Sequence, residues 1–181
     1  MRIISGTHKG KRLQAPKNLP VRPTTDMAKE SLFNILGNRF DFEQLKVFDL
    51  FSGTGNIAFE FASRGAGDIL AVERFPGCAQ FISKTARELG FPIRTLRSDV
   101  FKFLEQTPER ADIIFADPPY DFDPGKFLGI VEVVLDRGLL REQGLLVVEH
   151  DGKTDLSSHP AFTELRKYGG SRFSFFAAGT N

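Results

Sequence analysis

The chain has 181 residues, 41% hydrophobic and 26% charged, which is ordinary for one soluble globular domain with a sizeable core. No apolar run approaches the ~20 residues of a membrane span, no signal-peptide apolar stretch follows Met1, and one cysteine, Cys78, excludes an intramolecular disulfide or a cysteine-rich zinc site, so a cytoplasmic protein is expected. The net charge of +1 hides an asymmetry: Arg2, Lys9, Lys11, Arg12, Lys17 and Arg22 precede Asp26 without a single acid, and the remainder is five charges negative. A basic arm on an acidic body suits a polyanionic partner, and a solvated surface segment would carry the same charges.

In chain order, residues 2–5 and 11–14 read as two short strands joined by a glycine-flanked loop, followed by a proline-punctuated connector over 15–23. A helix capped by Thr25 or Asp26 runs to Leu36 and stops at Gly37, with Ala28, Leu32, Ile35 and Leu36 on one face. From Lys46 onward strands and helices alternate: strand 47–51, helix 56–64, strand 68–73, helix 76–89, strand 93–96, helical piece 100–106, strand 112–116, helix 125–136 and strand 145–149. Segments 162–168 and 172–177 flank Gly169-Gly170, a two-residue hairpin turn. This order predicts an α/β fold, a parallel sheet with helices on both faces and an antiparallel C-terminal hairpin.

Two strand ends carry the chemistry. Asp49-Leu50-Phe51-Ser52-Gly53-Thr54-Gly55-Asn56 joins the first strand to its helix, where Gly53 and Gly55 let a ligand approach backbone N–H groups near a helix N-terminus. Glu73 ends the next strand 20 residues after Gly53, the spacing of an acid that holds ribose hydroxyls, and Asp99 follows the third strand, placed to accept from an adenine amine. Gly53 to Ala58 also satisfies the dinucleotide fingerprint, so a small NAD-dependent oxidoreductase competes, as does a nucleotide-binding module without catalysis. Against the oxidoreductase stand Asp49, which suits a cationic ligand better than a pyrophosphate, and a length that leaves no room for a second substrate domain. S-adenosylmethionine, with its ribose, adenine, ammonium and sulfonium, matches the whole set. Asp117-Pro118-Pro119-Tyr120 follows the apolar strand 113–116. Prolines stiffen this turn, so a carboxylate and a carbonyl can face an exocyclic amine beside an aromatic ring.

With these residues in place the chain resembles class I S-adenosylmethionine-dependent methyltransferases and, more narrowly, the bacterial 16S rRNA guanine-N2 methyltransferases of RsmD type. The likeness lies in Arg2-Ile3-Ile4-Ser5-Gly6, Lys9-Gly10-Lys11-Arg12-Leu13, Arg22-Pro23-Thr24-Thr25-Asp26, Leu32-Phe33-Asn34-Ile35-Leu36, the glycine loop and Asp117 to Tyr120. It implies a Rossmann-like, mostly parallel seven-stranded sheet with a short N-terminal β-hairpin, organised as a basic arm over 1–22 and a methyltransferase domain over 23–181. It further implies that Asp49, Phe51, Ser52, Gly53, Thr54 and Gly55 cradle the methionine moiety, that Glu73 holds the ribose, and that Asp99 with Val100 meets the adenine. Arg74 stands where relatives place an apolar residue against the adenine, and Phe75 follows it, so either can cover the ring. Asp117, Pro118 and Tyr120 become the catalytic group. RNA contacts are expected from Arg2, Lys9, Lys11, Arg12, Arg22 and Thr24. The implied activity is methyl transfer to a guanine of 16S rRNA in the small ribosomal subunit, by a monomer, with S-adenosylhomocysteine as product. Adenine-N6 or glutamine-directed transfer remains the neighbouring alternative.

The three histidines have no metal-ligand spacing, so no metal is expected. Cys78 lies in a first helical turn, where a thiol pKa can fall or the thiol can simply be packed. Phe122 and Asp123 form either part of a lid or an ordinary loop, and Phe173, Phe175 and Phe176 are assigned to the core.

Overall fold

The computed structural model describes residues 1–19, 24–119 and 121–178, so the expectations for Arg22 and Tyr120 lie outside the described residues. The first helix, α1 (Asp26–Gly37), is capped by Thr25, whose hydroxyl accepts from the Ala28 N–H at 3.2 Å. Gly37 is its last residue and Asn38 its C-cap. After a 3-10 turn at Phe42–Gln44 the chain alternates through β1 (Lys46–Leu50), α2 (Asn56–Ser63), β2 (Asp68–Glu73), α3 (Pro76–Leu89), β3 (Ile93–Arg97), α4 (Val100–Gln106), β4 (Ala111–Ala116), α5 (Pro124–Asp136) and β5 (Leu140–His150). It closes with β6 (Phe162–Tyr168) and β7 (Ser171–Ala177). Prolines open α3 and α5, where a missing N–H costs nothing, and Gly90 ends α3 in the left-handed conformation.

The sheet runs β3-β2-β1-β4-β5-β7-β6, parallel from β3 to β5 and antiparallel through the last hairpin. Side-chain alternation sorts the core into two faces. Odd-numbered residues such as Val47, Ile69, Ile113, Val147, Phe173 and Phe175 pack with Phe33, Phe59 and Phe61 under α1 to α3. Even-numbered residues such as Phe48, Leu70, Ile114, Val148 and Phe176 pack with Phe103 and Phe127 under α4 and α5. The inner strands are therefore apolar on both sides, as a helix-covered parallel sheet requires.

Two sequence expectations change. β5 begins at Leu140 rather than 145, because its ladder with β4 shifts register between Ala111 and Ile113 and Gln143 adopts φ 60°. The irregularity lets the polar stretch Arg141-Glu142-Gln143 stay exposed while remaining in the strand. The N-terminal segment folds back on itself, but its pairing is one bridge, Arg2 with Arg12, flanked by Ile3 N–H to Lys11 O (2.9 Å), Gly10 N–H to Ile3 O (2.8 Å) and Leu13 N–H to Met1 O (3.0 Å). Two full strands do not form because the N–H groups of Ile4 and Ser5 turn to the buried Glu60 carboxylate of α2, at 2.9 and 3.1 Å. Gly6, at φ 81°, presses on the end of α2. A Cβ there would lie 1.7 Å from the Ser63 carbonyl oxygen, so glycine is obligatory.

Candidate active site

The cleft opens beyond the carboxyl ends of β2, β1 and β4, where the chain leaves β1 toward β2 on one side and returns to β4 on the other. Open α/β sheets bind ligands at this reversal. Asp49 and Glu73 are odd-numbered strand residues and so belong to the face of α1 to α3, with Phe115 of the same face in register with Asp49. The glycine-loop residues, Glu73, Asp99 and the Asp117-Pro118-Pro119 corner line this one cleft.

At the glycine-loop end, β1 stops at Leu50 rather than Phe51, because Phe51 swings to φ 56° and its ring packs edge-on to Phe122 at 5.6 Å. Ser52 turns the chain, its N–H donating to the Val72 carbonyl of β2 at 3.1 Å and its hydroxyl to the Asp49 carbonyl at 2.5 Å. Gly53 and Gly55 both have positive φ, 55° and 82°. The Glu73 carboxylate clamps the loop, accepting from Gly53 N–H and Phe75 N–H, each at 2.8 Å. Asp49 is buried and accepts from Ala58 N–H at 3.1 Å. Burial pushes its carboxyl up to about 7, opposed by the hydrogen bonds from Ala58 and Ser52 and reinforced by the charge of Glu73. Asp99 caps α4 through one oxygen, accepting from Lys102 N–H at 3.1 Å. Arg74 lies over the Phe75 ring at 4.9 Å and both line the cleft.

At the other end the Asp117 N–H reaches the Leu50 carbonyl at 3.4 Å, tying the corner to the tip of β1. Pro118 is buried and Pro119 exposed. Phe122, beyond the corner, lines the cleft and packs against Phe51, Phe101 and Phe127. Thr24 and Asn56, both buried, also line the cleft. Thr24 donates its hydroxyl to Glu149 at 2.9 Å, and its carbonyl accepts from the Asn56 side-chain amide at 3.1 Å.

Four carboxylates, Asp49, Glu73, Asp99 and Asp117, line the cleft against one guanidinium, Arg74. Such a lining favours a cationic guest and opposes a pyrophosphate, and it fits a molecule carrying both an ammonium and a sulfonium. Gly55 is absent from the lining. Its glycine is needed behind it, where a Cβ would come within 2.9 Å of Phe59 and 3.0 Å of Ile82. Arg2, Lys9, Lys11 and Arg12 are exposed on the hairpin, outside the cleft. Arg2 pairs with Asp26 at 3.0 Å, and among the described residues Lys9, Lys11 and Arg12 have no ion pair. Thr24 sits on the inner wall, not on the outer surface. Cys78 is buried and its thiol is pushed up to about 11 by burial and by Glu73, which settles it as a packed group.

Sequence reasoning missed Lys29, Asn56, Glu60 and Glu149. A signal existed for two of them. Lys29 shares the inner face of α1 with Leu32, Phe33 and Leu36, at helical spacings of three, four and seven. Glu60 lies in a helix whose every residue is buried. A charge placed where only apolar side chains belong has a partner to meet.

The fold and the cleft define a class I S-adenosylmethionine-dependent methyltransferase. The chain belongs to the family described as conserved hypothetical protein 95, whose model matches residues 1–177. YlbH of Bacillus subtilis (strain 168) is 34% identical over 161 residues, covering 86% of this chain and 85% of its own. Ribosomal RNA small subunit methyltransferase D of Escherichia coli (strain K12) is 31% identical over 168 residues, 92% of this chain and 83% of its own. Among solved structures, yhhF from Escherichia coli superposes with a TM-score of 0.84 at 29% identity, covering 97% of this chain and 96% of that one. The fold also recurs, at 22% identity and a TM-score of 0.68 over 89% of this chain and 45% of the other, in the T. thermophilus 16S rRNA N2 G1207 methyltransferase RsmC, solved with AdoMet and guanosine.

Proposed function

We propose that this protein transfers a methyl group from S-adenosylmethionine to the exocyclic N2 amine of a guanine in 16S rRNA of the small ribosomal subunit. The observation that carries the reading is the single cleft shared by the clamped glycine loop and the Asp117-Pro118 corner. A donor held at one end and an acceptor nitrogen held at the other meet within it. Relatives named as small-subunit rRNA methyltransferases and a protein of the same fold solved with AdoMet and guanosine support the same choice.

When bound, S-adenosylmethionine supplies an electrophilic methyl group on a sulfonium. Asp49 and the loop 51–54 receive its methionine end, Glu73 the ribose hydroxyls, and Asp99 with Val100 and Phe75 the adenine. A guanine amine is a poor nucleophile because its lone pair is delocalised into the ring. The Asp117 carboxylate and the Pro118 carbonyl accept its two N–H bonds and so direct the lone pair, and holding the nitrogen in line contributes several kcal/mol, on the order of 5. Asp117 then takes the proton that the nitrogen loses. Tyr120 stacks on the extruded base.

The arm over 1–22 contacts RNA phosphates, and the domain over 23–181 carries the chemistry. From Gly6 at the end of α2 to Met1, whose sulfur lies 4.0 Å from the Thr54 hydroxyl near the start of α2, the hairpin runs alongside the helix for about 10 Å. Lys11 and Arg12 thus stand between the loop tip at Lys9 and the cleft, a row suited to a backbone entering it. A monomer acting in the cytoplasm completes the reading. Tritiated-methyl transfer into naked rRNA, small subunits and DNA, followed by nucleoside analysis, tests it. N2-methylguanosine in small-subunit RNA is the expected product, and N6-methyladenosine or methylated protein in its place would overturn the proposal.

A further inference from the structure

We infer that Lys29 is a positioning residue for methyl transfer, whose ammonium sets the part of the cleft lining formed by Thr24 and Asn56. The inference deepens the function proposed above and depends on it for the identity of the reaction. Lys29 is 1% exposed, on the inner face of α1. An ammonium has three N–H donors and no acceptor, and Lys29 meets three acceptors: the Arg2 carbonyl at 2.6 Å, Asn56 Oδ1 at 2.8 Å and Glu60 Oε2 at 3.4 Å.

The Asn56 contact decides the wall. An ammonium can face only the oxygen of that amide, so Nδ2 must point the other way, to the Thr24 carbonyl at 3.1 Å. Flipping the amide would set NH2 against NH3⁺ and oxygen against oxygen. The Thr24 main chain is thereby fixed, and its hydroxyl is held at 2.9 Å by Glu149. Thr24 and Asn56 are lining residues, whereas Lys29, Glu60 and Glu149 are not. The ammonium therefore acts on the cleft through Asn56.

The same nitrogen is also tied to the hairpin. Arg2 gives it a carbonyl, and Ile4 and Ser5 give their N–H groups to the Glu60 carboxylate that faces it. The seat of the basic hairpin and the orientation of the Asn56 amide thus share one atom, Lys29 Nζ. Stability alone does not require this device, since a buried ion pair replaced by apolar groups of like volume is often neutral or stabilising.

The test compares wild type with Lys29→Met/Glu60→Gln, which removes both charges of the Lys29–Glu60 pair and leaves only the partly exposed Arg64 without its carboxylate. S-adenosylhomocysteine affinity is measured by calorimetry, single-turnover methyl transfer on small subunits by tritium incorporation, and the Asn56 side-chain NH2 pair by NMR. The expected result is a transfer rate down at least tenfold, affinity within threefold, and loss of the single well-dispersed NH2 pair. A rate within threefold of wild type, or a rate and an affinity that fall in parallel, overturns the inference. Should the double variant melt below the assay temperature, Lys29→Arg keeps the charge opposite Glu60 but aims its donors differently. A rate down at least fivefold at unchanged affinity then supports the inference, and an unaltered rate overturns it. If wild type itself leaves small subunits unmethylated, the proposed substrate fails, and the NH2 pair alone decides: its persistence in the variant overturns the role of Lys29.

Discussion

Two parts of the cleft lining are built differently. At the glycine-loop end, Asp49 and Glu73 accept from backbone N–H groups of Ala58, Gly53 and Phe75, all within two successive βα units. The Thr24–Asn56 wall is assembled from side chains far apart in the chain: Thr24 ahead of α1, Lys29 on it, Asn56 and Glu60 on α2, and Glu149 on β5. A local frame of main-chain bonds tolerates side-chain change around it. A frame of side chains depends on each member, because losing one strands the buried polar groups that remain.

The sharpest break in this comparison is Asp117→Ala. Methyl transfer is expected to fall by about 10²–10⁴-fold, the range lost with a proton-accepting group, while S-adenosylmethionine affinity measured by calorimetry stays within threefold. Glu60→Ala should come next. It leaves Lys29 as a lone buried charge and strips partners from Ile4, Ser5 and Arg64, so urea unfolding should show a loss of about 3–5 kcal/mol. Gly55→Ala probes the local frame. Its φ of 82° and contacts of 2.9 Å to Phe59 and 3.0 Å to Ile82 predict a stability loss of about 2 kcal/mol in the same measurement.

Smaller effects follow from charge. The Asp49 carboxyl, raised to about 7 in the folded chain, binds its proton more tightly than in the unfolded chain. Its contribution therefore lowers the stability of the free protein as pH rises from about 4 to 7, with the full loss present above 7. A cationic cofactor prefers the ionised form, so affinity should rise with pH up to about 7 and level off beyond it, which calorimetry between pH 5.5 and 8 would reveal as a slope of about tenfold per unit or less. Lys9→Ala and Lys11→Ala should each reduce the salt slope of RNA binding by about 1.

The same contrast explains what was legible. The glycine loop, Glu73 and the D-P-P corner each sit at the end of an apolar strand, so sequence alone placed them beside one cleft, and several element ends match, including 68–73, 76–89, 100–106 and 162–168. Glu149 was invisible because nothing in the fifth strand announces that Thr24, 125 residues earlier, will lie against it. Thr24 is expected among the RNA contacts with the exposed basic residues, and the structure places it buried in the cleft lining instead of on the hairpin surface. The N-terminal hairpin looked like paired strands since its apolar and glycine spacing is that of strands. Only the tertiary position of Glu60 diverts its amides.

Cys78 leaves a practical opening. It is the chain's single thiol, it is buried, and it stays protonated at any ordinary working pH. A cysteine introduced at Lys9, on the exposed hairpin loop, would therefore be the one position that a maleimide dye or spin label can reach, with no background to remove by mutation. Distances from that probe to a labelled ribosomal particle would report whether the hairpin docks there.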